Sequence, residues 1–467
     1  MSKIFKEFSF ISSSSLIGQL ISLLSVLIIT SSINSENFGK LTLIYIPTLI
    51  LPIFLNLGIS HAIFRFYNTS NNENDKSIVL NTGILFSILS SILIGAILFL
   101  LFQFISLPVY FNNTNFSIIL ISIFTSNNNI LSTTLRANRD FKNISLISIL
   151  NPIIKFSVII FIQFTSKLNF NNILFSTLFS ELIVFLYLIK KHKIVSSKFS
   201  LPVLKEMLIY SNSFIPHKFF LKFKKPLIQI LVSNYIGLNY TGYFALAEKM
   251  SLPLYFLIDK IQFVWEPVKF EIHKNKNKRS KVFQSIISNL IIIVLFITSF
   301  FSFVVFNFLP YSFYQGYEES IVIGYFLFQL CFLRSLYYLF GTGIELNKKM
   351  TILPFTSGIS LLFLFLFNYI FYQFQIITIN SFLISLFISD LISIFSVRFY
   401  SKKQIEIRFP KETYIYISFF FASNFYLLVF NNLEEIGTTS IINFLIFSII
   451  ILLNMKNLKS MKTYSKL

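Results

Sequence analysis

The sequence predicts an all-α, polytopic membrane protein of about fourteen transmembrane helices, divided into two six-helix lobes and a further pair at the C-terminal end. Three observations carry this. The 467 residues are 55% hydrophobic and only 12% charged, and a mean hydropathy of +0.73 lies outside the range of soluble globular domains. Apolar stretches of about twenty residues, enough to span a hydrocarbon core, recur along the whole chain. The basic residues fall on one side: with both termini in the cytoplasm, 29 of the 39 Lys and Arg lie in inside segments and only Lys40 and Lys167 in outside loops. Such a bias fits an even number of spans with cytoplasmic ends, because one missed helix would invert every later loop.

In order, the spans are 9–33, 41–61, 79–104, 117–135, 144–165, 173–189, 207–235, 243–265, 284–308, 321–341, 351–373, 378–397, 413–431 and 439–455. Lys3 and Lys6 give the first the look of a signal peptide. Its apolar run exceeds twenty residues and no small-residue cleavage site follows, so it reads as an uncleaved helix. Polar islands at 68–76 and 112–115 separate the early spans, and 190–200 and 269–281 carry basic clusters that belong in the cytoplasm. Between the sixth and seventh spans, Leu201-Pro-Val-Leu-Lys-Glu-Met is amphipathic and makes the natural joint. The expected organisation is therefore an N-terminal lobe at 1–190, a cytoplasmic linker at 191–206, a C-terminal lobe at 207–400, and two extra helices with a basic tail at 401–467.

The net charge of +20 does not point to nucleic acid, since the basic residues sit in short clusters between apolar spans and not in a folded basic domain. The one cysteine, Cys331, excludes an intrachain disulfide, and His61, His192, His217 and His273 show no metal-ligand spacing. No Walker loop or dinucleotide fingerprint is present, and Gly341-Thr-Gly343 is too short to cradle a phosphate. Neither a cofactor nor a metal is expected. Transport would run on an H+ or Na+ gradient, on the membrane potential, or on a binding partner.

The seventh span is the anomaly, because Lys218, Lys222, Lys224 and Lys225 lie near its centre. A charge at mid-membrane costs roughly 2.5–3.5 kcal/mol, against about 0.3–0.6 gained per large apolar residue. Four lysines therefore cancel the gain of a whole span. On one continuous helix, Ser211, Lys218, Lys222, Lys225, Gln229 and Ser233 form a single stripe, Lys224 falls off it, and Pro226 bends it. The stripe predicts a face turned to a cationic, anion-binding cavity; snorkelling and buried ion pairs are the alternatives. Lys155 and Arg334, inside the fifth and tenth spans, are further lumen candidates, and Arg65 and Arg136 stand at cytoplasmic helix ends. Acids are also buried: Glu181, Glu248, Asp259, Glu266 and Asp390 fall within or at the end of spans, as groups for ion coupling or for structural pairing. Glu248, Asp259, Gln262 and Glu266 share one face of the eighth. An antiparallel seventh and eighth helix would put Lys225 level with Glu248 and Lys218 within about two turns of Asp259.

Three strings resemble a known family: Leu57-Gly-Ile-Ser-His-Ala-Ile-Phe-Arg-Phe-Tyr67, Leu135-Arg-Ala-Asn-Arg139, and Gly237 to Gly242-Tyr-Phe-Ala-Leu-Ala247. They are similar to the Wzx-like polysaccharide transporters (O-antigen and oligosaccharide flippases) of the multidrug/oligosaccharidyl-lipid/polysaccharide exporter superfamily. That resemblance implies two six-helix lobes around a central cationic cavity and alternating access. It also implies an undecaprenyl-pyrophosphate-linked oligosaccharide as cargo, moved to the outer leaflet of the bacterial inner membrane. Its diphosphate would be bound by Lys218, Lys222, Lys225, Lys155, Arg334, Arg65 and Arg136, with Glu181, Glu248, Asp259 and Asp390 left for ion coupling or pairing. Besides the bilayer, a polysaccharide polymerase and chain-length machinery are the implied partners. The family often has an acidic-basic pair late in the seventh helix; here Lys224-Lys-Pro226 stands without the acid. A multidrug or cation antiporter, or a lipid II flippase, shares the architecture. A cation exporter would put acids where this chain has lysines. A membrane ligase or polymerase would need a large outer loop, and none here exceeds about a dozen residues.

Overall fold

The computed structural model describes residues 2–464 apart from 71, 105–107, 109–110, 112–113, 193–198, 213, 275–278, 309–315, 347–351, 403–409 and 431–432. It also leaves undescribed the side chains of 2–12, 260–282, 345–346, 423–435 and 455–464. Among the described residues all regular structure is helical. Packing groups the chain into two units, Met1–Ser233 and Asn234–Leu467.

In the first unit α1 (Ser2–Ser32) runs along α6 (Phe141–Thr165). The approach is close enough to demand glycine: a Cβ on Gly18 would stand 2.1 Å from the Ser148 carbonyl oxygen, so any side chain would push α1 away. Helices α2 (Ser35–Leu55), α4 (Glu73–Phe104) and α7 (Phe170–Lys191) surround α5 (Asn115–Ala137). The shorter α3 (Ile59–Thr69) and α8 (Leu201–Asn212) pack beside them, and Ile63, Ile84, Leu131, Leu188 and Met207 form a core common to α3, α4, α5, α7 and α8. The last helix is α9 (Phe214–Tyr235).

Each of the three strings that carry the family resemblance contains a residue of positive φ between two helices. At the first, Leu57 and Gly58 adopt positive φ (46° and 68°), and the Asn56 side chain accepts the Gly58 N–H at 3.0 Å. A left-handed pair cannot continue a helix, so the expected span 41–61 is corrected to two helices, α2 and α3. At the second, Arg139 has φ 57° and Asp140 caps α6 by accepting from the Asn143 N–H. At the third, Gly237 (φ 132°) precedes α10 (Leu238–Lys274).

The second unit continues with α11 (Arg279–Phe308), α12 (Glu319–Phe340), the short α13 (Thr342–Leu346), α14 (Ile352–Gln373), α15 (Ile379–Lys402), α16 (Lys411–Phe430) and α17 (Leu433–Tyr464). Helix α12 lies at its heart, packed by α10, α11 and α15 and buried over most of its length. The terminal helices belong to this unit: Phe444 of α17 stacks on Phe303 of α11 at 4.8 Å, and Asn307 donates to Ser440 at 2.7 Å.

Eleven helices among the described residues are long and apolar enough to cross a membrane, each matching a predicted span. This is a multi-pass membrane protein. The other three of the fourteen expected spans are 207–235, 243–265 and 413–431. Helices occupy all three, but α9 carries four lysines, α10 carries Glu248, Lys249, Asp259 and Lys260, and α16 is described with side chains only to residue 422. The first is covered by α8 and α9, which are described on either side of residue 213.

Candidate functional site

Ser211 stands on α8 and the four lysines on α9. The turn between α2 and α3 packs against this part of the chain: a Cβ on Gly58 would meet the Ser211 carbonyl oxygen and Ile215, both at 3.2 Å. Around that turn the cations converge. Lys218 Nζ donates to Ser60 Oγ on α3 at 3.1 Å. One residue on, His61 stacks against Phe214 of α9 with ring centroids 4.5 Å apart. The Arg65 guanidinium lies over the Tyr210 ring of α8 at 4.3 Å, and Arg136, from the end of α5, lies over Phe64 at 5.0 Å.

Sequence-distant cations thus share one region built from α3, α5, α8 and α9. His61 sits in the electrostatic fields of Lys218, Arg136 and His217, and Lys218 in those of Lys222 and Arg136. Like charges gathered in a medium poorer than water raise one another's energy, and a bound anion relieves all of them together. The aromatic partners fix where the guanidiniums point, while Arg65, Arg136 and Lys222 remain exposed. Lys225 is half-buried. Lys224, set aside from the stripe by its spacing, is the most buried of the four at 5% exposure.

A second polar group lies in the same unit. Glu181 of α7 accepts from Asn128 Nδ2 of α5 at 2.7 Å and from Asn151 Nδ2 of α6 at 2.9 Å, and Asn128 also donates to the Glu181 backbone carbonyl at 2.9 Å. Two amides replace the water that a carboxylate loses inside a membrane. Lys155 lies over the Tyr45 ring at 5.3 Å and in the field of Glu181, and the Tyr45 hydroxyl bonds Thr177 of α7 at 2.6 Å. Lys155 is therefore grouped with Glu181. The amides escaped the sequence reading, though Asn127-Asn-Asn129 inside an apolar span was a signal for them.

In the second unit, Arg334 of α12 and Asp259 of α10 form a two-pronged bridge, Nε to Oδ1 and Nη2 to Oδ2, both at 3.1 Å. Tyr255 and Tyr338 flank the guanidinium at 5.4 and 5.6 Å, and the charges of Glu248 and Asp390 reach the same Tyr255. Gln262, Glu266 and His273 lie outside the described side chains. Cys331 is buried and donates to the Leu327 carbonyl at 3.4 Å. Among the described residues no group of three or more His, Cys, Asp or Glu stands ready for a metal. His192, just past the end of α7, donates from Nδ1 to the Leu188 carbonyl at 2.9 Å, and its Nε2 bonds Thr134 of α5. Burial holds its pKa below the ordinary histidine value, against opposing pulls from that carbonyl and from Asp140.

Residues 28–322 match the sequence profile of a family described as polysaccharide biosynthesis protein. Among curated proteins no sequence matches the chain. Solved structures share the fold at low identity. A lipid II flippase, MurJ, in an inward closed conformation has a TM-score of 0.70 at 15% identity, with 96% of this chain and 99% of that one covered. An inward-facing multidrug resistance transporter of the MATE family in the MOP superfamily scores 0.60 at 14% identity, covering 82% and 94%. A MOP superfamily transporter from Pyrococcus furiosus, whose binding pocket is described as reversed in polarity, scores 0.57 at 14% identity, covering 85% and 95%.

Proposed function

The chain belongs to this polysaccharide biosynthesis protein family, and from that premise we propose that it is a flippase for an undecaprenyl-pyrophosphate-linked oligosaccharide. The cargo moves from the cytoplasmic to the outer leaflet of a bacterial inner membrane by alternating access. The observation that carries this reading is the convergence of Lys218, Arg65 and Arg136 with His61 in the first unit. A diphosphate is the oxyanion such a group suits: Arg offers a planar fork and Lys a point charge. Lys222 and Lys225, on the same helix as Lys218, extend the path in the proposal, and Lys155 is reserved with Glu181 as a site for ion coupling. The basic asymmetry of the loops supports cytoplasmic termini, and the six-helix lobes with a linker at 191–206 are kept as the moving bodies. With the cell interior negative, each cargo charge moved outward gains roughly 2.3 kcal/mol per 100 mV, so the potential supplies part of the drive. A polymerase and chain-length machinery are the partners that would consume the product.

The test is transport in reconstituted vesicles. Flipping of an undecaprenyl-pyrophosphate-linked saccharide is compared with that of lipid II and with efflux of a cationic drug. Lys218→Gln, Arg65→Gln and Arg136→Gln should each lower saccharide flipping several-fold with membrane abundance near normal. A triple variant that flips at the full rate refutes the site, and preferential efflux of the cation refutes the cargo.

A further inference from the structure

Helix α12 is buried along most of its length, and between 325 and 340 the only exposed residue is Arg334. It does not stand there by itself. Arg334 and Tyr338 are four residues apart on α12, Tyr255 and Asp259 four residues apart on α10, and the two pairs face each other where α10 and α12 pack. A helix repeats its face at that spacing. The four side chains therefore make one polar window between the two helices.

We propose that Arg334 is an oxyanion subsite of the second unit that Asp259 keeps closed, and that a carboxylate or phosphoryl group on an anionic saccharide cargo displaces Asp259 to open it. Four features support this. First, the bridge is open on one side: its side chains are 43% and 40% exposed, so a second oxyanion can reach the fork without parting the helices. Phe244, Ala247, Leu254 and Ile258 on α10 and Leu327, Phe328 and Cys331 on α12 are all at most 1% exposed, and this apolar burial is what holds two helices that pack along their length. Second, the geometry selects the ligand. Two parallel N–H groups at 3.1 Å from two oxygens form the fork that carboxylates and phosphoryl groups fit, and that neutral hydroxyls fill less well. Third, the flanking tyrosine rings hold the guanidinium in place, so the fork persists when Asp259 leaves it. Fourth, the fields of Glu248 and Asp390 on neighbouring Tyr255 make the surroundings acidic. A free anion in solution is thereby disfavoured. A second anionic group on a cargo already held elsewhere on the chain competes at a raised effective concentration. The ligand class rests on the flippase reading above; the closed fork rests on the geometry alone.

Calorimetry of the full-length protein in nanodiscs, titrated with inorganic pyrophosphate and separately with glucuronate, tests this. Asp259→Asn and Asp259→Ser each remove the competitor, and binding of at least one probe should tighten about fivefold or more, the scale of ordinary site coupling. Arg334→Lys keeps the charge but loses the fork, so D259N/R334K should lose that gain. A gain confined to glucuronate identifies a sugar carboxylate as the displacing group, and one confined to pyrophosphate identifies the carrier phosphates. No gain with either probe overturns the proposal. So does an equal gain in D259N/R334K, which would mean that any removal of negative charge suffices. In a Lys218→Gln background the gain from D259N should persist while pyrophosphate affinity as a whole falls. If K218Q leaves pyrophosphate binding untouched, the diphosphate reading fails while the Arg334 result stands.

Discussion

Replacing Asn128 with Ala removes two hydrogen bonds at once, one to the Glu181 carboxylate at 2.7 Å and one to the Glu181 backbone carbonyl at 2.9 Å. Side-chain hydrogen bonds between membrane helices average only about 0.6 kcal/mol, because the unfolded chain in the bilayer also finds partners. Bonds to a charged group are larger, roughly 1.5–3 kcal/mol, and Asn128 is itself buried. The charge-assisted bond should therefore dominate, and Asn128→Ala should destabilise by about 2–3 kcal/mol. Asn151→Ala removes a single such bond of 2.9 Å and should cost about 1.5–2 kcal/mol on the same basis. The assay is a double-mutant cycle with Glu181→Gln, read from chemical denaturation in detergent micelles. If the carboxylate is what the amides hold, Asn128→Ala should cost at least about 1 kcal/mol less in the Glu181→Gln background. Equal costs in both backgrounds would refute the network, leaving Asn128 as a packing residue of α5. Transport gives a second readout: if Glu181 takes part in ion coupling, Glu181→Gln should weaken the dependence of flipping on an imposed gradient while leaving saccharide binding intact.

Two further expectations concern the first unit. His192 has a folded-state pKa below its unfolded value of about 6.5. Its neutral form is the one that folding favours, so its contribution to stability is complete above that pH and is lost as pH falls through and below it. Thermal midpoints measured from pH 8 to pH 5 should fall in the wild type and flatten in His192→Gln; an unchanged slope would remove His192 from the pairing of α5 with α7. At Gly18, a methyl group would need about 1 Å more room than its 2.1 Å from the Ser148 oxygen provides. Gly18→Ala should therefore cost about 1–3 kcal/mol through overpacking, and a wild-type thermal midpoint would show that α1 and α6 separate freely.

The helices were legible because a span needs little more than twenty apolar residues, and composition supplies that locally: eleven of the fourteen predicted spans meet the criterion as helices. What composition does not register is where a helix stops inside an apolar run. The stop between α2 and α3 depends on Leu57 and Gly58 entering the left-handed region while Asn56 ties the turn. Drawn by spacing alone, the lysine stripe left out Lys224, yet burial is set by the neighbours around a helix and not by its own periodicity, and Lys224 is the lysine that is enclosed. Depth along two adjacent helices puts Asp259 near Lys218, whereas the structure bridges it to Arg334, 75 residues away in sequence. The aromatic partners Tyr210, Phe64, Phe214, Tyr255 and Tyr338 were hidden among 22 Tyr and 61 Phe, where no single ring stands out. A charge inside an apolar span announces from sequence that it must be neutralised, because the energetic demand is local. Which group answers the demand depends on packing between distant segments. The step from charged span to binding site therefore turns on whether the partner found is fixed, as the two amides are for Glu181, or exchangeable, as Asp259 is for Arg334.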